Sequence, residues 1–160
     1  MLKDNFLDKE DFVKLYNAVT SPYMPYFIQN GCAYESDNKP LLTHKIIDED
    51  QKIHSSAYDV VARPILEKLN AFKILRLKIN CYPNSGKALI SGWHTDLPNK
   101  HKVCLLNVNT NNGYTDFKNK DLTEGSSKEN TALLFDGKEE HRSISQTDKL
   151  WRLNINIDYE

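Results

Sequence analysis

The sequence predicts a mainly β fold with flanking helices, and three observations along its 160 residues support this. Two segments with helical spacing of apolar residues come first. Several segments with the alternating or short apolar patterns of β-strands follow, separated by turn-forming residues. This order is typical of an antiparallel sandwich or barrel with helices packed outside. We expect a single domain, in which residues 1–70 give mostly helical and loop support and residues 71–160 form the β core.

The first helix is predicted over residues 8–19, where apolar residues recur at helical spacing and Asp8 is a candidate N-cap. Residues 55–70 show the same spacing, and Pro64 should kink or divide that helix. Residues 20–52 carry prolines and polar clusters, so they are expected to form loops with short strands.

Two long strands are predicted from strict alternation of apolar and polar side chains. In residues 71–83 the apolar face carries Leu75, Leu77, Ile79 and Cys81, and the opposite face carries Arg76, Lys78, Asn80 and Tyr82. In residues 149–159 one face carries Leu150, Arg152, Asn154, Asn156 and Asp158, against Trp151, Leu153, Ile155, Ile157 and Tyr159 on the other. Each strand should therefore bury its apolar face.

A hairpin is predicted in residues 101–117, because two apolar runs flank Asn112-Gly113. This dipeptide favours a tight turn in which Gly113 has a positive φ. Residues 130–137 should form a buried strand that ends in a turn.

The composition excludes several classes of protein. Hydrophobic residues make up 39% and charged residues 27%, and the net charge is −1, so neither disorder nor a general attraction to nucleic acid or anionic lipid is expected. No apolar run approaches the roughly 18 residues that span a bilayer, and the first residues lack the apolar stretch of a secretory signal. Cys32, Cys81 and Cys104 are widely spaced without a CxxC motif, which favours a reducing, cytoplasmic location.

A metal site is predicted from the stretch SGWHTDLP (91–98), in which His94 and Asp96 stand two residues apart. Alternate residues of an extended strand point the same way, although the pair alone also fits a solvated strand end. His141 is the best-placed third ligand, because it follows a strand and turn that could return it to the first pair. Two histidines and one carboxylate on one face of a metal suit non-haem Fe(II), whereas structural zinc would require a fourth ligand.

Arg152 is the candidate anchor for an anionic co-substrate. It lies 11 residues after His141 on the last alternating strand, on the same face as Asn154. A keto acid that chelates iron leaves a remote carboxylate, for which arginine offers a planar, bidentate fork. A surface ion pair is the other interpretation of Arg152. Arg142 and Arg76 are its rivals for this role.

The order of these features resembles that of the Fe(II)- and 2-oxoglutarate-dependent dioxygenases, most closely the prolyl 4-hydroxylase-like branch. The resemblance rests on His94-Thr95-Asp96, the distal His141 and the basic Arg152. It is strengthened by GYTDF (113–117), which matches a G-x-T-x-F segment of that branch, by ALLFDG before the distal histidine, by Asn80-Cys81-Tyr82 and by the N-terminal helix.

This resemblance implies a double-stranded β-helix, the jelly roll of cupin-like proteins. It implies that His94, Asp96 and His141 bind Fe(II), and that Arg152 binds 2-oxoglutarate with help from Tyr82, Asn154 and Asn80. The implied reaction uses O₂ to hydroxylate a C–H bond and releases succinate and CO₂, with ascorbate as a further candidate cofactor.

The substrate stays open between a protein side chain or peptide, an amino acid and another small molecule, as does the oligomeric state. The nucleic-acid-repair branch carries a second arginine where this chain has Asp158, so nucleic acid is disfavoured as a partner. The two alternative functions are a non-catalytic metal-binding jelly roll that recognises a ligand, and an oxygenase that acts on nucleic acid.

Overall fold

A seven-stranded antiparallel sheet dominates the computed structural model, which describes residues 1–119 and 127–160. Its strands run in the order β1-β7-β5-β9-β4-β3-β2. The bounds in chain order are β1 (Leu2–Lys3), α1 (Lys9–Val19), β2 (Phe27–Gln29), β3 (Leu41–Ile47), α2 (Arg63–Leu69), β4 (Ile74–Pro83), β5 (Lys102–Asn107), β6 (Tyr114–Phe117), β7 (Thr131–Asp136), β8 (His141–Ile144) and β9 (Trp151–Tyr159).

A smaller sheet faces the large one and closes the jelly roll. It pairs β6 with β8, and single bridges at Ile90–Ile144 and His94–His141 extend it along the other edge of β8. Connections between strands cross from one sheet to the other, so that the space between the sheets is enclosed by residues that are distant in the sequence.

Both faces of the large sheet are buried, and the alternation predicted from the sequence decides which residues each face receives. On β9, Leu153, Ile155 and Ile157 lie on the outer face with exposed fractions of 2% or less. Polar residues of β9 lie on the inner face and are equally buried: these are Arg152, Asn154, Asn156 and Asp158. On β4 the register shifts between Ile74 and Arg76, and regular alternation holds from there onward.

The helices cover the outer, apolar face of the large sheet and form the hydrophobic core with it. Helix α1 contributes Leu15 and Val19, both at most 1% exposed. The second helical segment is divided as expected: Tyr58–Ala62 is a π-helical turn, and α2 begins beside Pro64, which has no N–H to donate. Among the described residues, no helix combines the length and the apolar character that crossing a bilayer requires.

The predicted hairpin at Asn112-Gly113 is wrong. Strands β5 and β6 do not pair: β5 lies between β7 and β9 in the large sheet, and β6 pairs with β8 in the small one. Gly113 also lacks a positive φ, which among the described glycines only Gly86 has. Glycine is required here for space, since a Cβ on Gly113 would lie 2.9 Å from Arg152 Cδ.

Residues 20–52 hold more regular structure than the prolines indicated. Strand β3 runs for seven residues within the large sheet and buries His44. The ring of His44 bonds to the carbonyl oxygen of Pro25 at 2.8 Å and to Ser55 Oγ at 2.6 Å, so this histidine is a satisfied core residue.

The central position of β9 predicts a large loss of stability when its core side chains are truncated. Ile155→Ala should lower the free energy of unfolding by about 2–5 kcal/mol, because Ile155 is fully buried and leaves a cavity. Ile28→Ala in β2 is the matched control, since Ile28 is 82% exposed. Urea unfolding followed by circular dichroism measures both. Equal losses in the two variants would contradict the assigned faces.

Candidate functional site

His94 and His141 form the starting point of the site, because their backbones pair directly. The N–H of His94 donates to the carbonyl oxygen of His141, and the N–H of His141 donates back, both at 3.0 Å. The two ring centroids are 4.6 Å apart. A sequence separation of 47 residues is thus closed by one antiparallel bridge between β8 and the segment that precedes β5.

Backbone carbonyls fix the protonation of both imidazole rings. His94 Nδ1 lies 3.0 Å from the carbonyl oxygen of Gly92, and His141 Nδ1 lies 2.9 Å from that of Glu139. A carbonyl oxygen only accepts, so Nδ1 carries the proton in each neutral ring. The lone pair of each Nε2 is then free to bind a metal, which is the usual way that a hydrogen bond selects the ligating nitrogen.

Asp96 presents one engaged oxygen and one free oxygen. Its Oδ1 accepts hydrogen bonds from Arg76 Nη2 at 3.0 Å and from Asn156 Nδ2 at 3.2 Å. Its Oδ2 is buried without a hydrogen-bond partner and lies 3.4 Å from His141 Nε2. A buried carboxylate oxygen without a donor is costly, so Oδ2 is placed as a ligand for a cation.

The triad His94, Asp96 and His141 has one candidate ligand atom from each residue within 4.8 Å of the others. Ligands at about 2.0–2.2 Å from a shared ion lie no more than roughly 4.4 Å apart, so the three need to approach only slightly. The donor set, two neutral imidazoles and one carboxylate, fits a divalent metal that keeps open positions.

The pKa values of the two triad histidines are shifted in opposite directions. Burial lowers the pKa of His94, and the neighbouring His141 lowers it further. Burial opposes the charged form of His141 as well, but the carboxylate of Asp96 outweighs it and raises the pKa of His141 above its usual value. Burial would raise the pKa of Asp96, yet His141, Lys78 and Arg76 together hold it far below the ordinary range.

Arg152 lies inside the jelly roll as predicted, with 1% of its surface exposed. Among the described residues, its guanidinium donates to neutral oxygens alone, which include Ser127 Oγ at 3.1 Å, Ser143 Oγ at 2.8 Å and Thr115 Oγ1 at 3.2 Å. No carboxylate of residues 1–119 or 127–160 pairs with it, and burial lowers its pKa. A buried cation without a counter-ion fits an anionic ligand.

The other predicted co-substrate residues lie near Arg152. The Tyr82 ring centroid is 5.2 Å from the Arg152 guanidinium carbon, and Asn80 Nδ2 donates to Asn154 Oδ1 at 3.0 Å. Tyr82, Asn80 and Asn154 line one cleft with the triad. Burial raises the pKa of Tyr82, so its phenol stays protonated and can donate a hydrogen bond.

Two neighbouring spaces lie between the sheets. The cleft at the triad has a volume of only about 30 Å³, whereas the cavity beside it has about 360 Å³ and is lined by Arg152. Leu105 and Thr115 line both. A five-carbon dicarboxylate exceeds the small cleft, so a molecule reaching from the triad to Arg152 has to extend into the larger cavity.

The two rival arginines are engaged elsewhere. Arg142 pairs with Asp116 at 2.8 Å, and its guanidinium carbon lies 4.2 Å from the ring centroid of Trp93. Arg76 Nη2 lies 2.8 Å from Asp158 Oδ2 and 3.0 Å from Asp96 Oδ1.

Sequence reasoning missed the residues around Asp96. Alternation had placed Arg76, Lys78, Asn156 and Asp158 on the polar faces, but nothing in the sequence showed that these faces meet at Asp96. His101 is also near this cluster: it is 4% exposed, with Nε2 3.4 Å from Asp158 Oδ1. Burial and the neighbouring Asp96 raise the pKa of Asp158 to about 6.

Comparison with known proteins identifies the fold. No protein-family model and no curated protein sequence matches this chain. Among solved structures, an oxidoreductase of the 2OG-Fe(II) oxygenase family from Burkholderia pseudomallei has a TM-score of 0.67 at 12% identity, covering 100% of this chain and 84% of its own. A prolyl hydroxylase from Trichoplax adhaerens, solved with a peptide of hypoxia inducible factor, has a TM-score of 0.68 at 16% identity, covering 99% and 82%.

The epimerase SnoN, solved with Fe³⁺, α-ketoglutarate and nogalamycin RO, is a third similar structure. Its TM-score is 0.65 at 9% identity, and the match covers 99% of this chain and 77% of SnoN. The fold predicted from the order of the sequence motifs is confirmed: this chain has the double-stranded β-helix fold of the 2-oxoglutarate- and Fe(II)-dependent oxygenases, prolyl hydroxylases among them.

Proposed function

We propose that this protein is an Fe(II)- and 2-oxoglutarate-dependent oxygenase that hydroxylates a C–H bond of a small molecule, an amino acid or a protein side chain. The proposal rests on one observation: a candidate metal site and a buried arginine both lie inside the jelly roll. The triad offers two imidazole lone pairs and a free carboxylate oxygen. The nearby Arg152 is a buried cation without a carboxylate partner in the described part of the chain.

When bound, Fe(II) and 2-oxoglutarate supply the O₂ activation and C–H oxidation, with succinate, CO₂ and the hydroxylated substrate as products. His94 and His141 would hold the metal through Nε2, and Asp96 would hold it through Oδ2. Arg76 and Asn156 fix Oδ1 of Asp96 and so keep Oδ2 aimed at the metal.

Arg152 would pair with the remote carboxylate of 2-oxoglutarate and so gain the counter-ion that the described residues do not supply. Tyr82 and Thr115 border the path from the triad to this arginine, and the apolar Leu105 limits the water that reaches it. The role of the protein would therefore be to bind, orient and shield the reactants, while the bound metal would supply the oxidising chemistry.

Nucleic acid is a poor substrate for this interior. Asp158 places a carboxylate beside Asp96, and these two carboxylates occupy the guanidinium of Arg76, so that Arg76 is not available to a phosphate group. The net charge of −1 agrees with this preference for a smaller or protein substrate.

The anaerobic Fe(II) protein should develop the visible absorption band of an iron–keto-acid chelate when 2-oxoglutarate is added, and should form succinate once O₂ is admitted. His141→Ala should lose both signals, because one of three ligands is removed. His54→Ala is the control, since His54 is a half-exposed surface histidine that pairs with Asp48. Wild-type protein without a chelate band would refute the proposed function.

Arg152→Ala should weaken 2-oxoglutarate binding by about 2–4 kcal/mol and leave Fe(II) binding nearly intact. Titration of the chelate band measures the first quantity, and metal content after dialysis measures the second. Arg142→Ala serves as the matched control, because Arg142 already pairs with Asp116. If Arg76→Ala weakens 2-oxoglutarate binding and Arg152→Ala does not, the anchor is assigned to the wrong arginine.

Metal affinity should fall at acid pH because the metal displaces a proton from His141. The pKa of His141 is raised above 6.5, so affinity for Co²⁺, used as an air-stable probe, should fall by roughly tenfold per pH unit below that pKa. Asp96→Asn removes the cause of the shift. The variant should bind Co²⁺ more weakly, and its pH dependence should begin at lower pH. An unchanged pH dependence in Asp96→Asn would contradict the assigned coupling.

A further inference from the structure

Lys78 brings a positive charge into the cleft of the triad. It lies on β4 and lines that cleft together with His94, Asp96 and His141. Burial and the neighbouring charge of Arg76 lower the pKa of Lys78, and the carboxylates of Asp96 and Asp158 act in the opposite direction. Both of these carboxylates are hydrogen-bonded to Arg76 instead. Within residues 1–119 and 127–160, no carboxylate oxygen lies within 4.0 Å of Lys78 Nζ.

Two hydrogen-bond acceptors without donors lie on the same face of the sheet as this amine. Asn156 stands opposite Lys78 in the β4–β9 register, and its Oδ1 is buried without a donor. Asn80 Oδ1, two residues along β4 on the same face, is also buried without a donor. The part of the cleft next to the triad thus holds an amine without a carboxylate partner among the described residues and two amide oxygens without a donor, a polar set that a water-filled or ligand-filled site would satisfy.

If the charges of the site are paired in the loaded state, which rests on the proposed function, Lys78 is left without a counter-ion among the described residues. Fe(II) would be balanced by Asp96 and by the chelating carboxylate of 2-oxoglutarate. The remote carboxylate would be balanced by Arg152, and Asp158 is balanced by Arg76. When protonated, Lys78 then faces the reaction site with no negative partner from residues 1–119 or 127–160.

We propose that Lys78 binds a carboxylate of the substrate, and that the enzyme accordingly oxidises small molecules or residues that carry a carboxylate close to the oxidised carbon. The free amide oxygens of Asn80 and Asn156 suit an N–H donor on the same molecule, as in an amino acid. Recognition through Lys78 selects for the anion, since a neutral analogue would leave this partly buried amine without a carboxylate partner from the described residues.

Acetate tests this proposal, with acetamide as its neutral counterpart. The protein is first saturated anaerobically with Fe(II) and 2-oxoglutarate, so that Arg152 and the metal are occupied. Acetate is then added, and the paramagnetic broadening of its methyl proton resonance measures binding near the metal. Wild-type protein should bind acetate and not acetamide. Lys78→Met, which keeps the length of the side chain, should weaken acetate binding by roughly tenfold or more.

Lys102→Met is the matched control, because Lys102 is an exposed lysine on β5 of the same sheet. It should bind acetate as the wild type does. Acetate binding that is absent from wild type, or equal in wild type and Lys78→Met, overturns the proposal. A loss of 2-oxoglutarate affinity in Lys78→Met comparable to that of Arg152→Ala also overturns it, because the amine would then serve the co-substrate.

The two proposals fail in different ways in this experiment. Absence of the chelate band from wild type refutes the oxygenase function before any acetate is added. A normal chelate band without acetate binding refutes only the role of Lys78. Lys78→Gln provides a second uncharged variant if Lys78→Met folds poorly, and its circular dichroism spectrum and chelate band confirm that the interior is intact.

Discussion

Burial of β9 on both faces is the constraint on which the rest of the structure depends. The strand lies between β4 and β5, so its backbone groups are satisfied on both edges. Its apolar residues, such as Ile155, enter the helix-covered core, and its polar residues, such as Asn156, enter the space between the sheets. Because the two faces are chemically opposite, a shift of register by one residue would bury charges in the core, and the register is therefore unique.

The polar interior is tolerable because most of its charges are matched inside the protein. Arg76 connects Asp158, at the end of β9, with Asp96, which lies in the segment before β5. The hydrogen bonds that neutralise these carboxylates also orient Asp96, so stability and site geometry depend on the same contacts. Among the described residues, Arg152 and Lys78 lack a carboxylate partner and Oδ2 of Asp96 lacks a donor, and all three residues line the spaces between the sheets. Unsatisfied groups thus concentrate where ligands are expected.

Much of the fold and of the candidate site follows from sequence periodicity. The alternation in β4 and β9 assigned the correct faces, and the spacing of His94, Asp96 and His141 identified residues that the structure brings together. Local sequence signals gave a wrong prediction where the structure depends on pairing between strands that are distant in the sequence. Asn112-Gly113 has the composition of a hairpin, but β5 finds its partners in β7 and β9, far along the chain.

The ion pairs around Asp96 were hidden for a similar reason. Arg76 and Asp158 are 82 residues apart and meet only because β4 and β9 are neighbours in the sheet. Periodicity gives the face on which a side chain lies, but the identity of the facing strand depends on topology. Lys78 was placed on the correct face, yet its lack of a counter-ion becomes visible only when the neighbouring carboxylates are seen to bond with Arg76.

The late position of β9 in the chain has a consequence for folding kinetics. As long as β9 is not in place, β4 and β5 each lack the partner on one side, so each half of the sheet has one open edge in addition to its outer edge at β2 or β1. Open edges recruit strands from other molecules, and pairing across long sequence separations is slow. The partly folded chain is therefore most prone to aggregate in the interval before this strand inserts. A single docking event removes both edges and brings the two halves of the polar interior together.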